Sequence, residues 1–347
     1  MKKHRSLLTW LGVLGLLLGF LTGCGQKQST KQAATRTVTD MSGKTVKLPK
    51  NVTRVADLWH ANNQVVLLLG GQKKLVATTQ MIKQSPWFKT VYPDIKKVTA
   101  PFAGQDVQIE TLLKTKPDVA IASDPGQIKQ ARNAKLPTVN AMYQSFGGLR
   151  RSVNLTAQVL GGNAPKVAAR YQKTLTANLN LVKAGLKGVN SRPKVLHIVN
   201  STNLNVVDGR NTIVNQWIDA AGGQNALQQK GNMISVTTEQ LAKSNPNVII
   251  VGSTTTAKAR KVLQSNPVLR QLRAVREGHV YGNPQGTFPW DRYSAEEALQ
   301  VLWAAKKLHP RQSQALNMIK QTQEFYQTYY HYQLSNDQAK RMLASQT

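Results

Sequence analysis

The period of hydrophobic and polar positions changes repeatedly along this chain, and each change marks an element. Residues 36–48 alternate apolar and polar positions around Asp40-Met41-Ser42-Gly43, the pattern of a β-hairpin. A strand-like run follows at 54–58, and then an apolar helix is expected over 62–69, stopped by Gly70-Gly71. Residues 75–79, 118–122 and 138–141 predict further short strands separated by helical stretches. Strands that alternate with helices imply parallel sheet covered on both faces, an α/β fold.

One segment departs from this alternation. In 165–186 the apolar residues Val167, Tyr171, Leu175, Leu179, Val182 and Leu186 recur at spacings of three and four. Asn163 is placed to cap this helix and Pro165 suits its first turn. At 1.5 Å per residue it would be about 33 Å long. That length fits a connector between two halves, and the periodicity equally fits another sheet-covering helix. The alternation then restarts with a strand at 194–199, a helix at 212–221 ending at Gly222-Gly223, a strand at 248–251 and a last strand led in by 277–281. Amphipathic helices at 295–308, 312–330 and 336–343 close the chain. The two halves also share a phrase. ETLLKTKPDVAI at 110–121 matches EQLAKSNPNVII at 239–250 without a gap at its Glu, Leu, Lys, Pro, Val and Ile positions. Each copy describes a short helix, a proline that ends it and a buried strand, so the repeat suggests two lobes of related construction.

The amino terminus changes the picture. Lys2, Lys3 and Arg5 precede an almost entirely apolar run at 7–21, which stops at Leu21-Thr22-Gly23-Cys24. A run this short with such flanks reads as a secretory signal, residues 1–23, rather than a membrane span. Its ending resembles the lipobox of bacterial lipoproteins, which implies that Cys24 is acylated and becomes the first mature residue. Each buried CH₂ of an acyl chain contributes about 0.8 kcal/mol, so two chains hold a protein where one does not. Residues 24–35 are polar and aperiodic, as a flexible tether is. Cys24 is the single cysteine of the chain, so no disulfide can form within one molecule. The location expected is the outer, extracytoplasmic face of the cell membrane.

Charge narrows the partners. The chain carries 46 Lys and Arg against 16 Asp and Glu, a formal +30. The basic residues are scattered rather than clustered, which suits life beside an anionic membrane and cell wall. No nucleic-acid motif accompanies them, and no nucleic-acid partner is expected. Enzyme chemistry has equally little footing. There is no G-x-S-x-G elbow, phosphate loop or H-E-x-x-H, and the glycine pairs follow helices as caps do.

Several weak motifs then fall in one order. They are the lipobox, the hairpin before Val52-Thr53-Arg54-Val55, the run from Glu110 through Pro117-Asp118-Val119, the Ala220-Ala221-Gly222-Gly223-Gln224-Asn225 stretch and the closing segment 298–310. Together they resemble the helical-backbone (class III) solute-binding lipoproteins of ABC transporters that serve ferric siderophores, haem and vitamin B12. The resemblance implies two alternating lobes bridged by one long α-helix, with the ligand cleft between them and little hinge motion. On that frame 36–162 is the first lobe, 163–187 the backbone helix and 188–347 the second lobe. It further implies a monomer that hands a small molecule to an ABC permease dimer with its ATPase subunits. Glu110 and Glu239 match the lobe-tip glutamates that meet permease arginines. Each also sits four residues before a lysine near a helix start, which alone would explain it.

A cleft ligand should touch loops at strand ends. Those loops carry Trp59 and His60, Thr79 through Trp87, and Phe102 in the first lobe. In the second they carry Arg210, and then Trp290 with Arg292. Trp59, Trp87 and Trp290 are thus expected to converge on an aromatic pocket, with Arg210 and Arg292 available to anionic groups. His60 offers an imidazole either to a chelated metal or to a simple hydrogen bond. His197 and His279 form no cluster with it, so neither a bare metal site nor a resident cofactor is expected; the ligand itself is the candidate metal chelate. A different class of function also fits the sequence: a surface lipoprotein that binds an anionic polymer or acts as a co-receptor.

Overall fold

The computed structural model describes residues 34–346. The signal segment, Cys24 and most of the tether lie outside the described residues.

The chain opens on an antiparallel hairpin, Thr35–Thr39 with Thr45–Pro49, that pairs Val38 with Val46. Its turn is held by Asp40, whose Oδ1 accepts from the Ser42 and Lys44 backbone amides at 2.9 and 3.0 Å. The first lobe is built on a four-stranded parallel sheet in the order Leu75–Ala77, Val55–Asp57, Val119–Ala122, Thr138–Asn140. The second lobe is built on a six-stranded sheet whose parallel centre is Lys194–Ile198, Val248–Val251 and Val280–Gly282. Two of its short strands, Val206–Val207 and Ile234–Ser235, pair antiparallel, so this sheet is mixed where a wholly parallel one was expected. A two-residue strand carries little hydrophobic pattern, which is why the hairpin was not legible.

Period two decides what each central strand buries. Val119 and Ile121 enter the main core, while Ala120 and Ala122 enter a smaller cluster on the other face. Val248 and Ile250 join that same main core, while Ile249 and Val251 face a separate cluster. The repeated phrase is therefore a repeated structure. Ile109–Lys114 and Thr238–Ser244 are the helices, and Lys116 and Asn245, at matching positions before the prolines, are both left-handed with φ of 47° and 41°.

The long helix runs Ala164–Gly185 with Pro165 in its first turn. Asn163 makes no side-chain capping bond, contrary to expectation, because its own backbone is already helical with φ −83° and ψ −9°. The helix packs on Phe146–Leu160 from the first half and on Glu297–Leu308 from the second. Tyr171 Oη donates to the Ala295 carbonyl at 2.9 Å, and Asn178 Nδ2 to that of Ala298 at 2.6 Å. One buried cluster consequently runs through both lobes, from Val38 to Met342. A shared core of this kind resists hinge opening, because separating the lobes would expose close-packed apolar surface.

The segment after 188 does not stay in one lobe. Helices Met318–Tyr330 and Asn336–Leu343 reach back to the first half, where Tyr330 Oη donates to Gln64 Oε1 at 3.2 Å. Trp87 Nε1 donates to the Gln346 carbonyl at 3.1 Å in the same region.

Candidate functional site

A cleft of about 940 Å³ opens where the carboxyl ends of both sheets face each other. This is where ligands sit on open α/β sheets, since the strand-end loops are free to vary. The first-lobe wall follows Asp57, Ala77 and Ala122, the last residues of three parallel strands. The second-lobe wall is Ser253, Gln285, Thr287, Phe288 and Pro289. Ser253 holds a left-handed φ of 51°, a strained choice for a serine that turns the chain sharply after its strand.

On the first wall, Trp59 and His60 are fixed by a buried polar network. Asp57 accepts from the Trp59 amide at 3.2 Å and from Asn62 Nδ2 at 2.8 Å. Burial pushes the Asp57 carboxyl well above its usual range, and its hydrogen-bond partners in this corner are uncharged amides. Asn63 Nδ2 donates to the carbonyls of Asp57 and Trp59, while its Oδ1 accepts from Thr78 at 2.6 Å. Thr156 closes the network on Asn62 at 3.0 Å. Thr79 caps the next helix, its hydroxyl accepting from the Ile82 amide at 3.4 Å.

The helix behind this corner spans His60–Leu68 and begins at His60, two residues before the expected start. His60 therefore lies at a helix amino end, with its ring stacked on Phe288 of the opposite lobe at 5.6 Å. Burial, aided by the nearby Arg292 charge, lowers its pKa to about 4, and no hydrogen bond acts on the ring. The imidazole is neutral at physiological pH and has a nitrogen free to donate. Trp59 meets Tyr143 and Tyr293 at 5.8 and 5.6 Å, which makes an aromatic floor between the lobes.

The second wall is held by charge. His197 Nδ1 lies 2.8 Å from Asp208, and Nε2 lies 2.8 Å from Asp291. A neutral imidazole donates through one nitrogen only, so two carboxylate partners require the imidazolium. Burial opposes that charge, but the bonds to Asp208 and Asp291 outweigh it and raise the pKa above its usual value. Arg292 adds a contact to Asp208 at 3.1 Å, and Trp217 Nε1 donates to the Asp291 carbonyl at 3.0 Å. Gly252 is required beside this pair, because a Cβ there would lie 2.6 Å from Asp291 Oδ2. Further along, Glu296 accepts from the Thr287 hydroxyl at 2.8 Å and Tyr326 Oη at 2.6 Å, and burial raises its pKa to about 6.

The sequence-predicted site residues are thus divided. Trp59, His60, Thr79 and Phe102 line the cleft. Trp87 does not: it lies in the helix Pro86–Val91, buried under the Arg341 guanidinium at 5.5 Å. Trp290 has no exposed surface and belongs to the core, so the expected convergence of three tryptophans is not what the fold produces. Arg210 is exposed and lines none of the cleft, and Arg292 is turned onto Asp208. The residues missed were chiefly glutamines and Asp124. Asp124 caps Pro125–Asn133 directly after a strand, a capping signal that was readable. Glu110 and Glu239 are both exposed in the first turns of the repeated helices. Neither pairs with its i+4 lysine, whereas Arg273–Glu277 and Lys320–Glu324 do form such pairs.

Two lobes around an open cleft with a shared core define a protein that holds a solute. Residues 55–286 match the family described as periplasmic binding protein, and the chain belongs to that family of solute-binding proteins, which are not enzymes. An uncharacterised ABC transporter substrate-binding lipoprotein of Bacillus subtilis is 25% identical over 81% of this chain and 90% of its own length. A periplasmic solute-binding protein of Veillonella parvula superposes with a TM-score of 0.75 at 25% identity, over 90% of this chain and 97% of that one. The molybdate-binding protein of Haemophilus influenzae, with molybdate bound, gives a TM-score of 0.76 at 21% identity, over 86% and 99%.

Proposed function

We propose that this protein is the lipid-anchored, extracytoplasmic binding component of an ABC importer, and that its cargo is a metal chelate such as an iron complex, haem or corrinoid. The observation that carries this reading is His60. A neutral imidazole stacked across the cleft on Phe288 is a ready ligand for a chelated metal, and Trp59 beside it adds an apolar edge to the lining. Native mass spectrometry of freshly purified protein, with an absorption spectrum across the visible range, tests it. A bound metal complex whose spectrum changes in His60→Ala is expected. A metal-free organic cargo would refute the chelate reading.

Delivery rests on Glu110 and Glu239. They occupy the same turn of the same repeated unit, one per lobe, and are exposed without an ion-pair partner on their own helices, as two contacts for a two-fold permease would be. Replacing both by Ala should abolish most uptake and leave ligand affinity unchanged, because a charge-assisted pair needs both partners. The Lys114→Ala, Lys243→Ala control should transport normally. Anchoring rests on Cys24, and Cys24→Ala should release the mature domain from membranes or leave an unprocessed precursor.

A further inference from the structure

Although the chain carries 46 Lys and Arg, neither residue type is among the described residues that line the cleft. The charged lining groups are two exposed carboxylates, Asp106 and Asp124. Asp106 belongs to a two-residue hairpin with Phe102, and Asp124 stands at the amino end of Pro125–Asn133. The remaining polar lining is dominated by amides: Gln80, Gln84, Gln105, Gln127, Gln130 and Gln285. Each primary amide offers donors and acceptors without charge, which suits hydroxyls, amides and metal-bound oxygens.

Two arginines close to these walls are committed elsewhere. Arg292 is engaged by Asp208 at 3.1 Å, with only 15% of its side chain exposed. The charges around it balance in pairs, Arg292 and the His197 imidazolium against Asp208 and Asp291. Arg132, behind the first wall, is spent on Asp40 at 2.8 Å. An anionic cargo would therefore shed its water against two carboxylates with no lysine or arginine among the described lining residues to replace it, which disfavours binding. A cationic cargo meets two carboxylates, and a neutral one meets the glutamines.

We propose that the cleft accepts neutral or cationic metal chelates and rejects anionic ones, a specificity opposite to the one that the overall charge of the protein would suggest. The proposal deepens the chelate reading above and rests on it. It rests equally on the placement of Asp106 and Asp124, which can be tested apart from that reading.

The test titrates the intact mature protein, in detergent, with three metal cores, each in two charge forms. The probes are ferrioxamine B with its amine tail free or succinylated, haem with its propionates amidated or free, and a corrinoid with its side chains as amides or carboxylates. Whichever core binds, the cationic or neutral form should bind at least about tenfold more tightly than the anionic form. The Asp106→Asn, Asp124→Asn double variant should bring the two forms close to parity and should fold as the parent does, since Asn keeps the helix cap. Equal or tighter binding of the anionic form overturns the proposal while leaving chelate capture intact. A preference that survives unchanged in the double variant overturns its assignment to these carboxylates. Failure of all three cores in both forms removes the chelate reading and the charge preference together.

Discussion

The two walls of the cleft each rise from the carboxyl ends of parallel strands but are stabilised by different chemistry. The first wall hangs on Asp57, Asn62, Asn63, Thr78 and Thr156, a chain of mostly uncharged hydrogen bonds. The second hangs on an imidazolium between two carboxylates and on a buried glutamate. A neutral network costs little to bury when every group is paired, whereas a buried ion cluster tolerates no missing member. The second wall, with more charged members, is therefore the part more sensitive to protonation and to substitution.

The largest effect should come from His197→Ala. It leaves Asp208 and Asp291 buried without their shared cation, at a cost of about 3–5 kcal/mol in denaturant unfolding. The corresponding break in the first wall, Asn63→Ala, removes the acceptor of Thr78 and one donor to each of the Asp57 and Trp59 carbonyls, and should cost about 1–3 kcal/mol. Equal losses would erase the contrast between the walls.

The next effect is pH. His197 has a raised folded pKa, so its contribution is fully present below the ordinary histidine value and is lost as pH rises through the folded one. Glu296, raised from 4.5 to about 6, acts in the same direction: its contribution is present below 4.5 and is lost as pH rises through about 6. Melting temperature should therefore fall across this range on the alkaline side, and Glu296→Gln should remove the part near pH 6. A melting temperature that rises there because of these two residues would contradict the assignment.

The smallest effect on stability should come from the site itself. His60→Ala should change unfolding by less than about 1 kcal/mol, since the ring makes no hydrogen bond, yet it should weaken chelate binding. Because the His60 pKa is lowered to about 4, chelate affinity should stay flat as pH falls from neutrality and drop only as protonation of His60 begins to compete. A drop centred near the ordinary histidine pKa would show that His60 is not held neutral.

Much of the fold was legible because it is periodic. The backbone helix, both copies of the repeated unit and the strand at Val248–Val251 stand where the pattern of Val, Ile and Leu puts them. The family was legible from motifs in order, and residues 55–286 match it. The cleft was less so. Trp59 and Trp290 both follow strands in sequence, but Trp290 is fully buried in the core, and nothing in its local pattern separates the two. His197 reads as an ordinary alternating strand residue. Its two carboxylates are 11 and 94 residues away in sequence, so their meeting is a product of the fold alone. The glutamines of the cleft carry no period and no charge, which left them indistinguishable from surface residues until the loops were placed.

The most direct test of the account follows tryptophan fluorescence while the tightest-binding chelate is titrated into the parent protein, Trp59→Phe and Trp290→Phe. Solute capture between the lobes, against the Trp59–His60 wall, predicts that the binding signal disappears or shrinks sharply in Trp59→Phe and persists in Trp290→Phe, whose indole has no exposed surface. A full signal in Trp59→Phe that vanishes in Trp290→Phe would contradict it.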